Sequence, residues 1–97
     1  MRKWEESLRE RLAASPEYAA EYLNAVLEEN DSQAFLLALR HVAEANGGLG
    51  KLASNAELSR ESLYRTLSES GNPKLSSLTA VLEALGMQLT ISPKKAA

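Results

Sequence analysis

Residues 57 to 78 read ELSRESLYRTLSESGNPKLSSL, with two arginines and a tyrosine set among serines. Leu63 and Leu67 stand four apart, as residues on one buried helix face do, and Ser59 is placed to cap a helix beginning at Arg60. The Ser-Gly-Asn-Pro break at 70 to 73 ends the pattern, so the spacing predicts a helix of about Arg60 to Ser68. So short a helix needs a neighbour, and LGKLASNA at 49 to 56 supplies one across a tight turn. A helix-turn-helix requires a small residue where its helices touch, apolar facing sides and a short joint. Ala53 is the small residue, Leu52 and Leu58 brace the turn, and Leu63 and Leu67 face inward.

Arg60, Glu61, Ser62, Tyr64 and Arg65 are left to point outward or sideways. An arginine can fork onto guanine, a serine can reach base edges or phosphate, and a tyrosine can meet a phosphate or a thymine methyl. With Ser59 capping the helix and leaving amides at its start, this face suits a major groove better than it suits plain solvation. Lys51 and Lys74 flank the motif as candidate phosphate contacts.

Outward from this motif the chain reads as helices. Trp4, Leu8 and Leu12 recur every four residues, giving an amphipathic helix with a narrow apolar side over 3 to 14. Ser15-Pro16-Glu17 combines a capping hydroxyl, a proline at the first helical position and an acid in the first turn. Ala19, Tyr22, Leu23, Val26 and Leu27 then share a face. Asp31 can cap SQAFLLALRHVAEAN, whose Phe35, Leu36, Leu39, Val42 and Ala43 form the strongest apolar stripe and hence the core spine. Gly47-Gly48 stops that helix. A last helix, Leu75 to Leu85, carries Leu75, Leu78, Val81, Leu82 and Leu85 and closes at Gly86.

MQLTI at 87 to 91 changes to a period of two, the pattern of a half-buried strand. It has no partner strand in the chain, so it either pairs with a second copy or another protein, or lies as an extended tail on the last helix. The expected fold is therefore all-α: a bundle of five to six helices containing a helix-turn-helix, with a short C-terminal β-strand. It forms one domain over 1–97, with N-terminal helices at 1–46, the helix-turn-helix region at 47–91 and a flexible tail at 92–97.

Composition limits the alternatives. At 97 residues, 44% apolar and 25% charged, the chain fits one compact domain. It has no cysteine and one histidine, His41, so neither a thiolate site nor a zinc site is expected, and no cofactor is called for. No serine or cysteine nucleophile accompanies His41 in a catalytic arrangement, so no catalytic residues are expected, the protein reads as a non-enzyme, and His41 reads as a boundary residue. No apolar run approaches the roughly 18 residues of a membrane span, and the N-terminus has acids where a signal peptide would be apolar, so a cytoplasmic location is expected. The net charge of −2 divides unevenly: −4 over 1–46 and +2 over 47–97. An acidic front half and a basic back half suit partners of opposite charge.

Residues 48 to 91 resemble the helix-turn-helix domain of the lambda repressor and Cro type, through Leu52-Ala53, Leu58-Ser59-Arg60, and Asn72-Pro73 followed by Leu75 and Leu78. More narrowly, AEYLNAVLEENDSQAFLLALRHVAEANGG together with LSRESLYRTLSESGNPKLSSL resembles the probable addiction-module antidote proteins, the HigA-like antitoxins encoded beside RelE/HigB-type toxins. The resemblance runs from about Tyr18 to Ile91. It implies that Ser59, Arg60, Ser62, Tyr64 and Arg65 read double-stranded DNA at a palindromic operator, that the chain is a homodimer, and that it represses its own operon while neutralising a toxin by direct binding. The acids Glu17, Glu21, Glu28, Glu29 and Asp31 are then the candidate toxin contacts. Two positions depart from the pattern. Glu57 stands where glycine is common and would take a positive φ at roughly 1 kcal/mol, and Thr66 stands where an apolar residue is usual.

The alternative is a stand-alone, prophage-type repressor without a toxin, which shares the DNA helix and differs only in the duty of the front half. A protein-interaction module that has lost DNA binding would suit the net acidity, Glu57 and Thr66.

Overall fold

The computed structural model describes residues 2–68 and 72–95, and these hold six helices: α1 (Arg2–Ala14), α2 (Pro16–Leu27), α3 (Ser32–Ala45), α4 (Leu49–Asn55), α5 (Arg60–Thr66) and α6 (Leu75–Ala84). Local chemistry sets their ends. The Ser15 hydroxyl accepts the Tyr18 amide at 3.1 Å with Pro16 behind it, and the Asp31 carboxylate accepts the Ala34 amide at 3.1 Å. After α3 the chain turns through Gly47 at φ 109° and Gly48 at φ 93°, and the Gly48 amide returns to the Ala43 carbonyl at 3.0 Å. This glycine-closed end satisfies carbonyls that the helix leaves open.

The helices form two groups joined by α3. Helices α1 and α2 pack on each other and on α3, while α4 packs on α3, α5 and α6, and α5 also meets α6. Among the described residues neither α1 nor α2 packs against α5 or α6. Phe35, Leu36, Ala38, Leu39, Val42 and Ala43 of α3 are all buried, so the spine expected from the sequence is the element both groups share. Leu12, Ala19 and Leu23 complete the core on one side, and Leu52, Ala53, Leu63, Leu67, Val81 and Leu82 on the other. Two polar links brace the first group: Tyr22 Oη and His41 Nδ1 are hydrogen-bonded at 3.0 Å, and the Arg11 guanidinium lies 5.9 Å from the Tyr18 ring centre. Burial first, and then the neighbouring Tyr18, raise the Tyr22 hydroxyl above the usual tyrosine pKa, so it stays protonated as the partner of His41.

Three sequence expectations are corrected. Residues 87–91 form no strand. Among the described residues there is no second strand to pair with them, and they run without secondary structure, with Ile91 99% exposed. Met87 alone tucks in, its amide reaching the Leu82 carbonyl at 2.8 Å in the turn made by Gly86. The apolar stripes also overreach at the helix ends. Trp4 is 71% exposed and Leu75 68% exposed, because each lies in the first turns of its helix, beyond the reach of the core. Helix α5 ends at Thr66 rather than Ser68, with the Ser68 amide turned back to the Arg65 carbonyl. The tail expected at 92–97 is exposed and without secondary structure over 92–95, and its last two residues lie outside the described part, as do residues 69–71 of the break before α6. No helix of the described residues is long and apolar enough to cross a membrane.

The joint between α4 and α5 is a cap of the same design as the end of α3. Glu57 adopts φ 57°, its amide reaches the Ser54 carbonyl at 3.2 Å, and the Leu58 amide reaches the Ala53 carbonyl at 2.9 Å. A left-handed residue followed by this pair of bonds is the geometry that glycine usually provides. Replacing Glu57 with glycine is therefore expected to stabilise the fold by about 1 kcal/mol, read as a raised urea midpoint with unchanged slope. Leu63 has no exposed surface and sits where α5 meets the core. Leu63→Ala is expected to lower unfolding free energy by roughly 2 to 5 kcal/mol, measured in the same titration.

Candidate nucleic-acid interface

Helix α5 presents two faces with different chemistry. Leu63, Thr66 and, just past its end, Leu67 are buried, whereas Arg60, Glu61, Tyr64 and Arg65 are exposed and Ser62 is half-buried. Tyr64 is 52% exposed, an aromatic ring held on the outside by a helix whose inner side is sealed. Two guanidinium forks and one phenol thus lie on the outer side of a capped helix anchored by its buried face, the Arg60 fork lying beside Gly50 at the start of α4.

The serines are engaged locally. The Ser59 hydroxyl accepts the Ser62 amide at 3.0 Å and donates to the Ser62 hydroxyl at 2.9 Å. Ser59 therefore acts first as the N-cap, and the Ser62 hydroxyl keeps its own proton to donate outward. Thr66, where an apolar residue was the expectation, is 7% exposed, and its hydroxyl donates to the Ser62 carbonyl at 2.8 Å. A buried hydroxyl bonded back to the preceding turn has its polar group satisfied and offers its methyl to the core. Thr66 therefore leaves the joint intact.

Beside α5 a groove of about 380 Å³ opens toward the start of α6, with Arg65, Ser62, Ser68, Asn72, Lys74 and Ser77 among its lining. It brings together Arg65 and Lys74, which are nine residues apart in the chain, and adds three polar side chains that the sequence reading did not offer as contacts: Ser68, Asn72 and Ser77. The serine repeat around Asn72-Pro73-Lys74 was the available signal. Lys74 is also the N-cap residue of α6, without a side-chain capping bond. Two cations and several hydroxyl and amide donors around one open groove can take a phosphate oxygen. Lys51 is exposed on α4, its stem lying close over Gly47, and belongs to the helix before the turn rather than to this groove.

Glu57 and Glu61 place two carboxylates at the same end of the motif, both exposed. They lower the positive potential around Arg60 and limit unselective attraction to phosphate.

The acids singled out in the front half, Glu17, Glu21, Glu28, Glu29 and Asp31, are all exposed on α2 and the turn after it. Two have structural duties: Asp31 caps α3, and Glu17 accepts the Ser15 hydroxyl at 3.2 Å in the first turn of α2. A second surface feature of this half, a groove of about 310 Å³ between α1 and α3, is lined by Trp4, Leu8, Arg9, Leu12, His41 and Glu44. Among the described residues no group of three or more histidine, cysteine or acidic side chains is arranged to hold a metal ion.

Comparison with known proteins follows the same boundaries. An uncharacterized protein of Haemophilus influenzae is 35% identical over 74 residues, covering 76% of this chain and 75% of that protein. No solved structure matches the chain. The profile of the family described as probable addiction module antidote proteins matches residues 7–93, which takes in all of α2 to α6. With nearly the whole fold inside that match, the chain belongs to the probable addiction module antidote family.

Proposed function

We propose that this protein is the antitoxin of a two-component module, binding a RelE/HigB-like toxin directly and, as a dimer, repressing its own operon at a palindromic operator. Family membership supports the antitoxin part. The observation that carries the DNA part is the division of α5 into a sealed inner side at Leu63 and an exposed outer side bearing Arg60, Tyr64 and Arg65. An arginine on such a helix can fork onto the acceptor edge of guanine, while Lys51 and Lys74 supply contacts that any phosphate backbone satisfies. Dimerisation follows from the symmetry of the operator such motifs use, one α5 per half-site.

The toxin is assigned to the front half by charge. A small basic partner would be drawn to the acidic side of α2, where Glu21, Glu28 and Glu29 are the acids not engaged in capping or first-turn bonds. Because α2 does not pack against α5, a protein held there leaves the DNA face open.

Co-expression with the product of the adjacent gene tests the antitoxin reading. A neighbour that arrests growth alone, and is harmless and co-purified with this chain, supports it. A harmless or unbound neighbour would overturn it in favour of a repressor acting alone. For the DNA face, Arg60→Ala and Arg65→Ala are expected to weaken operator binding by about 1 to 3 kcal/mol and relax base preference. Lys74→Ala is expected to weaken binding equally on all sequences and to reduce the salt slope by about one charge. Fluorescence anisotropy over a salt series separates the two patterns.

A further inference from the structure

Gly50 is the second residue of α4, and its backbone does not occupy the left-handed region, unlike Gly47, Gly48 and Gly86. A right-handed helical backbone accepts alanine without strain, so nothing in the conformation at this position calls for a residue without a Cβ. What lies against it does. A Cβ added at Gly50 would fall 2.8 Å from Nη2 of Arg60, 3.5 Å from its Cζ and 3.6 Å from its Nε. The guanidinium of the first residue of α5 therefore reaches back across the joint and rests over the bare start of α4.

We infer that Gly50 is a specificity-determining positioning residue, whose missing side chain makes a seat for the Arg60 guanidinium and so sets the point from which that fork reaches a base edge. The inference rests on the DNA reading proposed above. Bidentate recognition of guanine depends on the orientation of the fork, and a side chain already docked loses fewer rotamers on binding. The atoms that an added Cβ would meet are the far end of a flexible side chain, so alanine at 50 moves Arg60 and spares the backbone. The effect of the substitution is on placement and not on folding, which separates it from ordinary helix damage.

The test is selection from a randomised duplex library by four proteins: the unaltered chain, Gly50→Ala, Arg60→Ala and the double variant, each first checked by thermal melting. Gly50→Ala is expected to melt at the same or a higher temperature and to keep its affinity for random duplex and its salt slope. Its affinity for the selected sequence is expected to fall about tenfold, with relaxed preference at the base position that Arg60→Ala also relaxes. In the Arg60→Ala background, Gly50→Ala should change nothing further. Unaltered base preference in Gly50→Ala, or an effect that persists undiminished without Arg60, would overturn the proposal. A readout without DNA separates its failure from that of the DNA reading: the side-chain Nε–H resonance of Arg60 should move in Gly50→Ala. An unmoved resonance overturns the seat alone, whereas an unaltered chain that selects no sequence overturns the DNA reading and the role given to the seat with it.

Discussion

Helices α1, α2 and α4 all pack directly on α3, and α5 and α6 pack in turn on α4. Leu39 and Val42 have no exposed surface, and the helix that carries them must satisfy α1 and α2 on one side and α4 on the other. A helix asked to bury more than one side loses the narrow stripe of a surface helix and becomes apolar around most of its girth. Six of its fourteen residues are buried, and its polar outer positions are confined to what is left. The double glycine after it is the corollary, since α4 begins at once, with its Leu52 and Ala53 returning to the same core.

How far the sequence disclosed this depends on the range of the interaction concerned. The caps at Ser15, Asp31 and Ser59 and the stops at Gly47 and Gly86 act over a single turn of chain, and each appears where the local pattern placed it. The α3 stripe was equally plain because it repeats over four turns. Trp4 and Leu75 were misread because periodicity says which face a residue shares but not whether the core extends that far along the helix. The alternation in 87–91 misleads for a related reason: a strand is defined by its partner, and period two without a partner makes no strand.

In the candidate site, identity and placement separated in the same way. That Arg60, Tyr64 and Arg65 face outward was readable from the apolar positions beside them, Leu63 and Leu67. That Ser59 and Ser62 bond each other, that Thr66 closes its hydroxyl on Ser62, and that Arg65 and Lys74 meet around one groove was not. These depend on side-chain torsions and on the path of a loop, neither of which leaves a periodic trace. Thr66 is instructive, because a polar residue in an apolar slot looked like a fault in the motif and is instead self-satisfied by the turn before it.

Among the described residues the two helical groups meet through α3, α4 and the turn at Gly86 beside Pro16. Energetic coupling fades between sites that share no contacts, so substitutions on the outer sides of α1 and α2 and those on the outer side of α5 should act additively. Either surface can therefore be remodelled while the other keeps its chemistry, whereas a change of volume in the buried side chains of α3 is felt by α1, α2 and α4 together.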